Sequence, residues 1–108
     1  MPKFSVLKQA RGLEQPFRPV EIADLDGKYH AFMVRYSGDY ITHSHTADEF
    51  IYILEGSIEM EIDSKMVEVR QGESMLVPAG SMHRPRCKNM ALALVFEKKG
   101  LQKQMDGD

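Results

Sequence analysis

Nowhere does this chain hold its apolar residues at the 3.6-residue period of an amphipathic helix. Instead, short apolar or alternating runs recur from residue 20 to residue 96, each closed by a turn signal. That pattern restricts the fold to an all-β sandwich or barrel. Val20 to Leu25 alternates as a strand, Asp26-Gly27 is a two-residue hairpin signal, and Lys28 to Tyr36 supplies the return strand. Ser57 to Asp63 alternates with Ile58, Met60 and Ile62 on one face and acids on the other, then turns through Asp63-Ser64 into Lys65 to Arg70. Gln71-Gly72 leads into Met75-Leu76-Val77, and Ala91 to Phe96 is a continuous apolar run of a length suited to a buried strand.

A chain of 108 residues holds one domain and one core. Residues 1–19 carry Pro2, Pro16 and Pro19 around Gly12, which argues against a long helix and for an extended arm, with a turn or short strand over Val6 to Arg11. The β domain is expected over 20–97, followed by a polar tail over 98–108 that frays at its end. The net charge of −2 is spread along the chain, so no nucleic acid or anionic membrane is expected as partner. A single cysteine, no apolar leader after Met1 and no run of about 18 apolar residues point to a cytoplasmic, reducing location.

Chemistry concentrates in two stretches. In the first, Gly38 to Gly56, His43 and His45 stand one residue apart, so on an extended strand both imidazoles leave the same face with Cα atoms about 6.5–7 Å apart. Glu49 follows and opens the run Phe50-Ile51-Tyr52-Ile53-Leu54, which places a carboxylate at the mouth of an apolar strand. In that run Phe50, Tyr52 and Leu54 share the face opposite to Glu49, Ile51 and Ile53. The second stretch, Gly72 to His83, ends an apolar strand in Pro78-Ala79-Gly80 and adds a third histidine. Taken alone, a His-x-His pair is weak evidence of a metal site, because histidines at turns and strand edges are common and usually just solvated. His30, beside the first hairpin turn, reads as a solvated strand-end residue.

Together the two stretches resemble the paired motifs of the cupin superfamily, of the small single-domain kind. Its first pattern is Gly, five residues, His-x-His, three or four residues, Glu, six residues, Gly. Here His43, His45, Glu49 and Gly56 match, while only four residues separate Gly38 from His43. The second pattern is Gly, five residues, Pro-x-Gly, two residues, His, three residues, Asn; Gly72, Pro78, Gly80 and His83 match and Cys87 stands in place of the Asn. The resemblance covers residues 38 to 87. It implies a double-stranded β-helix, or jelly-roll barrel, with His43, His45, Glu49 and His83 as ligands of one divalent metal, and an N-terminal arm that reaches toward a partner subunit.

Three imidazoles and a carboxylate suit divalent Mn, Fe, Ni, Co, Cu or Zn, and an octahedral shell would leave positions for a small-molecule ligand. Two functions stay open. One is a metalloenzyme acting on a small polar or oxygenated molecule, dioxygenase-like or isomerase-like; the other is a non-catalytic small-ligand or metal-binding/sensory module. Substrate-binding or acid–base candidates are Arg35, Tyr36, Tyr52 and Cys87, each with a plain structural reading beside it. Arg35, if inward, would pair with the carboxylate of a hydroxy- or keto-acid; a snorkelling rim arginine is the other reading. An outward face carrying Phe50 and Tyr52 implies a homodimer.

Overall fold

The computed structural model describes residues 3–100 and 103–105; the ends of the two flanking segments, residues 1–2, 101–102 and 106–108, lie outside them. A short helix, α1 (Val6–Ala10), precedes nine strands: β1 (Val20–Leu25), β2 (Tyr29–Asp39), β3 (His43–His45), β4 (Glu49–Glu55), β5 (Ser57–Ile62), β6 (Lys65–Arg70), β7 (Ser74–Val77), β8 (His83–Lys98) and β9 (Lys103–Met105). Every strand pair is antiparallel, and the sheet curls into the jelly-roll barrel expected from the motifs.

Turn chemistry sets the hairpins. Asp26 and Gly27 both take positive φ, as do Asp63 and Ser64, which is the mirror-image geometry that matches the right-handed twist of flanking strands. Asp24 accepts the Gly27 N–H at 2.8 Å and fixes the first of these turns. Gly56 answers a different demand. At φ +80° it passes so close to β8 that a Cβ there would lie 2.4 Å from the Met90 carbonyl oxygen.

β8 organises the barrel. Its first residues pair with β5, from Met60 opposite Pro85 to Ile62 opposite His83, and its second half runs between β2 and β4. This strand is longer than the apolar run at 91–96 implied, because Arg84, Arg86, Lys88 and Asn89 hide its continuation from hydrophobicity alone. Inward residues alternate: Phe32, Val34 and Tyr36 on β2, Ile51 and Ile53 on β4, Ile58 and Met60 on β5, and Ala91, Ala93 and Val95 on β8 form the interior core.

On the outer face Met33 and Leu92 are covered by Ala10 of α1, with Val6, Leu7, Leu13 and Ile22 around them. The expected turn or short strand at Val6 to Arg11 is therefore a helical turn, and it packs on its own chain. Arg11 ties it to the end of β4 through Glu55, 2.6 Å away. The polar tail also holds a strand. Lys103–Met105 forms β9 and pairs with β3, His43 opposite Met105 and His45 opposite Lys103, because β3 offers an open edge whose backbone groups need partners.

Candidate metal centre

β3 places His43 and His45 on the inner side of the barrel, and β8 brings His83 directly opposite His43 in the ladder. The rings converge, with centroids 4.2 Å apart for His43 and His83, 4.8 Å for His43 and His45, and 5.1 Å for His45 and His83. All three residues are buried, and one ring nitrogen of each lies within 4.8 Å of the others. Backbone carbonyls orient two of the rings: His43 Nδ1 donates to Ile41 O at 2.8 Å, and His83 Nδ1 donates to Ser81 O at 2.9 Å. In a neutral imidazole that donation leaves the lone pair on Nε2, so the tautomer suited to a metal is selected from outside the cluster. The Pro78–Ser81 turn is itself docked on the histidine strand, since Gly80 N donates to His45 O at 2.9 Å and Ala79 N to Asp48 Oδ1 at 2.9 Å.

Glu49 stands next to this cluster, its Oε2 3.6 Å from His45 Nδ1. A second carboxylate joins it. Glu97 is the register partner of Glu49 across β4 and β8, and His45, Glu49 and Glu97 each offer a donor atom within 4.8 Å of the other two. Imidazole nitrogen and carboxylate oxygen bind a divalent transition ion at about 2.0–2.2 Å; the three histidines form one group with spacing compatible with one ion, and His45, Glu49 and Glu97 form a second group that shares His45.

The cluster lies in a cavity of about 230 Å³ whose walls include Phe17, Phe32, Val34, Tyr36, Tyr40, Met60 and Val95. Phe17 stacks on Tyr40, centroids 4.8 Å apart, and meets Tyr36 edge-on. Burial, and after it the negative charges of Glu49 and Glu97, push the Tyr36 phenol above its ordinary range, which keeps it a neutral hydroxyl.

Of the four substrate-binding candidates, only Tyr36 lines this cavity. Arg35 projects from the other face of β2 and donates to the Leu13 carbonyl at 3.3 Å, so it is not placed to meet an acid in the pocket. Both faces of β2 are apolar, which left its direction unmarked in the sequence. Tyr52 lies on the outward face of β4, as the alternation of that strand requires. Cys87 packs in the core with Sγ 3.4 Å from Ser57 O, and burial raises its thiol pKa. His30 is not simply solvated: it is half-buried between Glu21 (3.0 Å) and Glu97 (3.2 Å).

Sequence reasoning missed Glu97, Tyr40 and Phe17. Glu97 carried a usable signal, because it closes an apolar strand as Glu49 opens one. Phe17 did not, lying between prolines in an irregular segment.

Residues 32–96 match the family described as Cupin domain. The 3-hydroxyanthranilate 3,4-dioxygenase of Bos taurus is 33% identical over 69 residues, covering 60% of this chain and 24% of that protein, so the chain spans about a quarter of that relative's length. A cupin-2 domain containing protein from Shewanella frigidimarina superposes with a TM-score of 0.83 at 22% identity, over 89% of this chain and 94% of the other. A hydroquinone 1,2-dioxygenase in complex with Cd2+ and 4-hydroxybenzonitrile superposes with a TM-score of 0.77 at 19% identity, over 89% of this chain and 72% of the other.

Proposed function

Because this chain belongs to the cupin family, we propose that it is a metal-dependent enzyme in which His43, His45, Glu49 and His83 hold one divalent transition metal and the cavity beside them receives a small oxygenated molecule. The observation that carries this is the convergence of three buried imidazoles, two of them oriented by backbone carbonyls, at the wall of an aromatic cavity. When bound, the ion supplies Lewis-acid polarisation of a ligand oxygen and, if it is iron, a place for dioxygen. Around it Phe32, Val34, Met60 and Val95 keep water from the ligand, and the neutral Tyr36 hydroxyl is a hydrogen-bond donor rather than a base.

A dioxygenase-like reaction is favoured over isomerisation by the similarity to the bovine dioxygenase. Elemental analysis of the purified protein, followed by oxygen uptake with iron-loaded protein and a panel of phenols, tests it. Metal binding with oxygen consumption supports the reading. Ligand-dependent thermal stabilisation without any conversion would leave a binding module, and failure to retain any divalent metal would remove the metal centre altogether.

The same reading includes a homodimer in a reducing cytoplasm, where the buried Cys87 thiol stays unoxidised. Its supporting feature is a rung of outward side chains, Leu76, Phe50 and Phe96, register partners across β7, β4 and β8 and 55%, 37% and 38% exposed.

A further inference from the structure

The cavity has a charge pattern that selects among ligands. On one rung of the barrel His30 of β2 stands opposite Glu97 of β8, and Glu97 stands opposite Glu49 of β4. Glu97 is mostly buried, its side chain 13% exposed, and one of its oxygens is held by His30 Nε2 at 3.2 Å. His30 is held in turn by Glu21 at 3.0 Å and rests edge-on against Phe32, centroids 5.3 Å apart. The carboxylate is thereby fixed from its outer side while lining the cavity that Phe17, Tyr36 and Tyr40 wall with rings.

Among the described residues that line this cavity there is no lysine and no arginine; Arg35 is turned to the outer face. A divalent ion would bring two positive charges, and Glu49 and Glu97 already balance them. A ligand carboxylate would therefore enter uncompensated, in a site of low dielectric where like charges repel strongly. A hydroxyl meets no such penalty and finds an acceptor in Glu97. Size points the same way, since a cavity of about 150 Å³ already admits benzene and this one measures about 230 Å³.

Resting on the metal-centre reading for the orientation of the ligand, we infer that the site takes an uncharged, hydroxyl-bearing single-ring aromatic and discriminates against its carboxylated analogues. Glu97, beside Glu49 on the cavity wall, accepts a hydrogen bond from a ring hydroxyl, and His30 is the positioning residue that holds Glu97 in place.

Hydroquinone and gentisate, which share a 1,4-diol ring and differ by one carboxylate, are the probes. Each is titrated calorimetrically without oxygen into protein loaded with zinc, so that binding is read apart from turnover. Hydroquinone is expected to bind about tenfold or more tightly than gentisate, since the added carboxylate would face Glu49 and Glu97 in a site of low dielectric. Glu97→Gln is expected to weaken hydroquinone and strengthen gentisate. His30→Phe is expected to narrow the preference in the same direction, and His30→Gln, which keeps a donor toward Glu97, to restore it. Gentisate binding as tightly as hydroquinone, no binding of hydroquinone at all, or a preference that Glu97→Gln leaves unchanged would each overturn the inference. Zinc content of every sample is measured independently: a preserved preference without zinc sinks the metal centre alone, and bound zinc without a preference sinks the ligand class alone.

Discussion

His43 and His83 are register partners across β3 and β8, and each donates Nδ1–H to the carbonyl of the residue two before it. The two rings are thus held in matching tautomers by backbone rather than by side chains, and no substitution elsewhere is needed to prepare them.

From this follows a pattern of metal retention. His43→Ala, His45→Ala and His83→Ala are each expected to lower metal affinity by more than about 100-fold, while His30→Ala leaves it within a few-fold. For the wild type, metal is lost as pH falls below about 6.5, where free imidazole protonates and competes with the ion. Chelator competition with metal analysis across pH checks both; equal losses in His30→Ala and His83→Ala would place the ion elsewhere.

The strand that carries His43 and His45 is paired along one edge by β9 and meets β8 at His43. Removing residues 101–108 is therefore expected to weaken metal retention by about tenfold with every ligand intact, as loss of supporting contacts commonly does. A truncated protein that holds metal as tightly as the full chain would show that β9 is dispensable to the site.

Phe17 takes φ +62°, a conformation that costs a bulky side chain about 1–2 kcal/mol. Its ring nonetheless forms the wall over Tyr36 and Tyr40. Phe17→Gly should thus be less destabilising than Phe17→Ala by about 1 kcal/mol, while both lose ligand affinity alike. Denaturant melts of the two variants, with parallel ligand titrations, make the comparison.

At Gly56 backbone strain and crowding coincide. Gly56→Ala is expected to cost about 2–3 kcal/mol, seen as a lower urea midpoint with an unchanged slope. A cost under about 0.5 kcal/mol would mean that the Met90 carbonyl moves aside freely.

The guanidinium of Arg11 holds the Glu55 carboxyl below its usual range. A depressed carboxylate stabilises above its unfolded pKa and loses that contribution as pH falls through its folded value. The attachment of α1 to β4 should accordingly be complete at neutral pH and loosen in acid, below about pH 4. Hydrogen exchange of the α1 amides is expected to accelerate there before the barrel strands do. Glu55→Gln should abolish that difference.

Much of the barrel was legible because its turns are chemically explicit. Asp26-Gly27 and Asp63-Ser64 announce hairpins, and the alternation of β4 and β5 states which side chains face inward. His43 and His45 were legible through their spacing on a strand, and His83 through the resemblance of the stretch from Gly72 to His83 to the second cupin pattern. What escaped were features set by tertiary pairing: β9, a polar segment that becomes a strand because β3 has an open edge, and the first half of β8, whose basic residues break the apolar run around Pro85. Arg35 and Glu97 failed in opposite ways. Arg35 drew attention as a charge on an apolar strand and faces outward, whereas Glu97, the last residue of the expected domain, drew none and lines the cavity.

Along β8 the inward positions His83, Pro85, Cys87, Ala91, Ala93, Val95 and Glu97 all carry odd numbers, across a shift in its pairing with β2 between Cys87 and Ala91. One strand therefore delivers an imidazole near its start and a carboxylate near its end to the same cavity by parity alone. A single-residue insertion between Ala91 and Glu97 would therefore turn Glu97 to the outside while His43, His45, Glu49 and His83 keep their places.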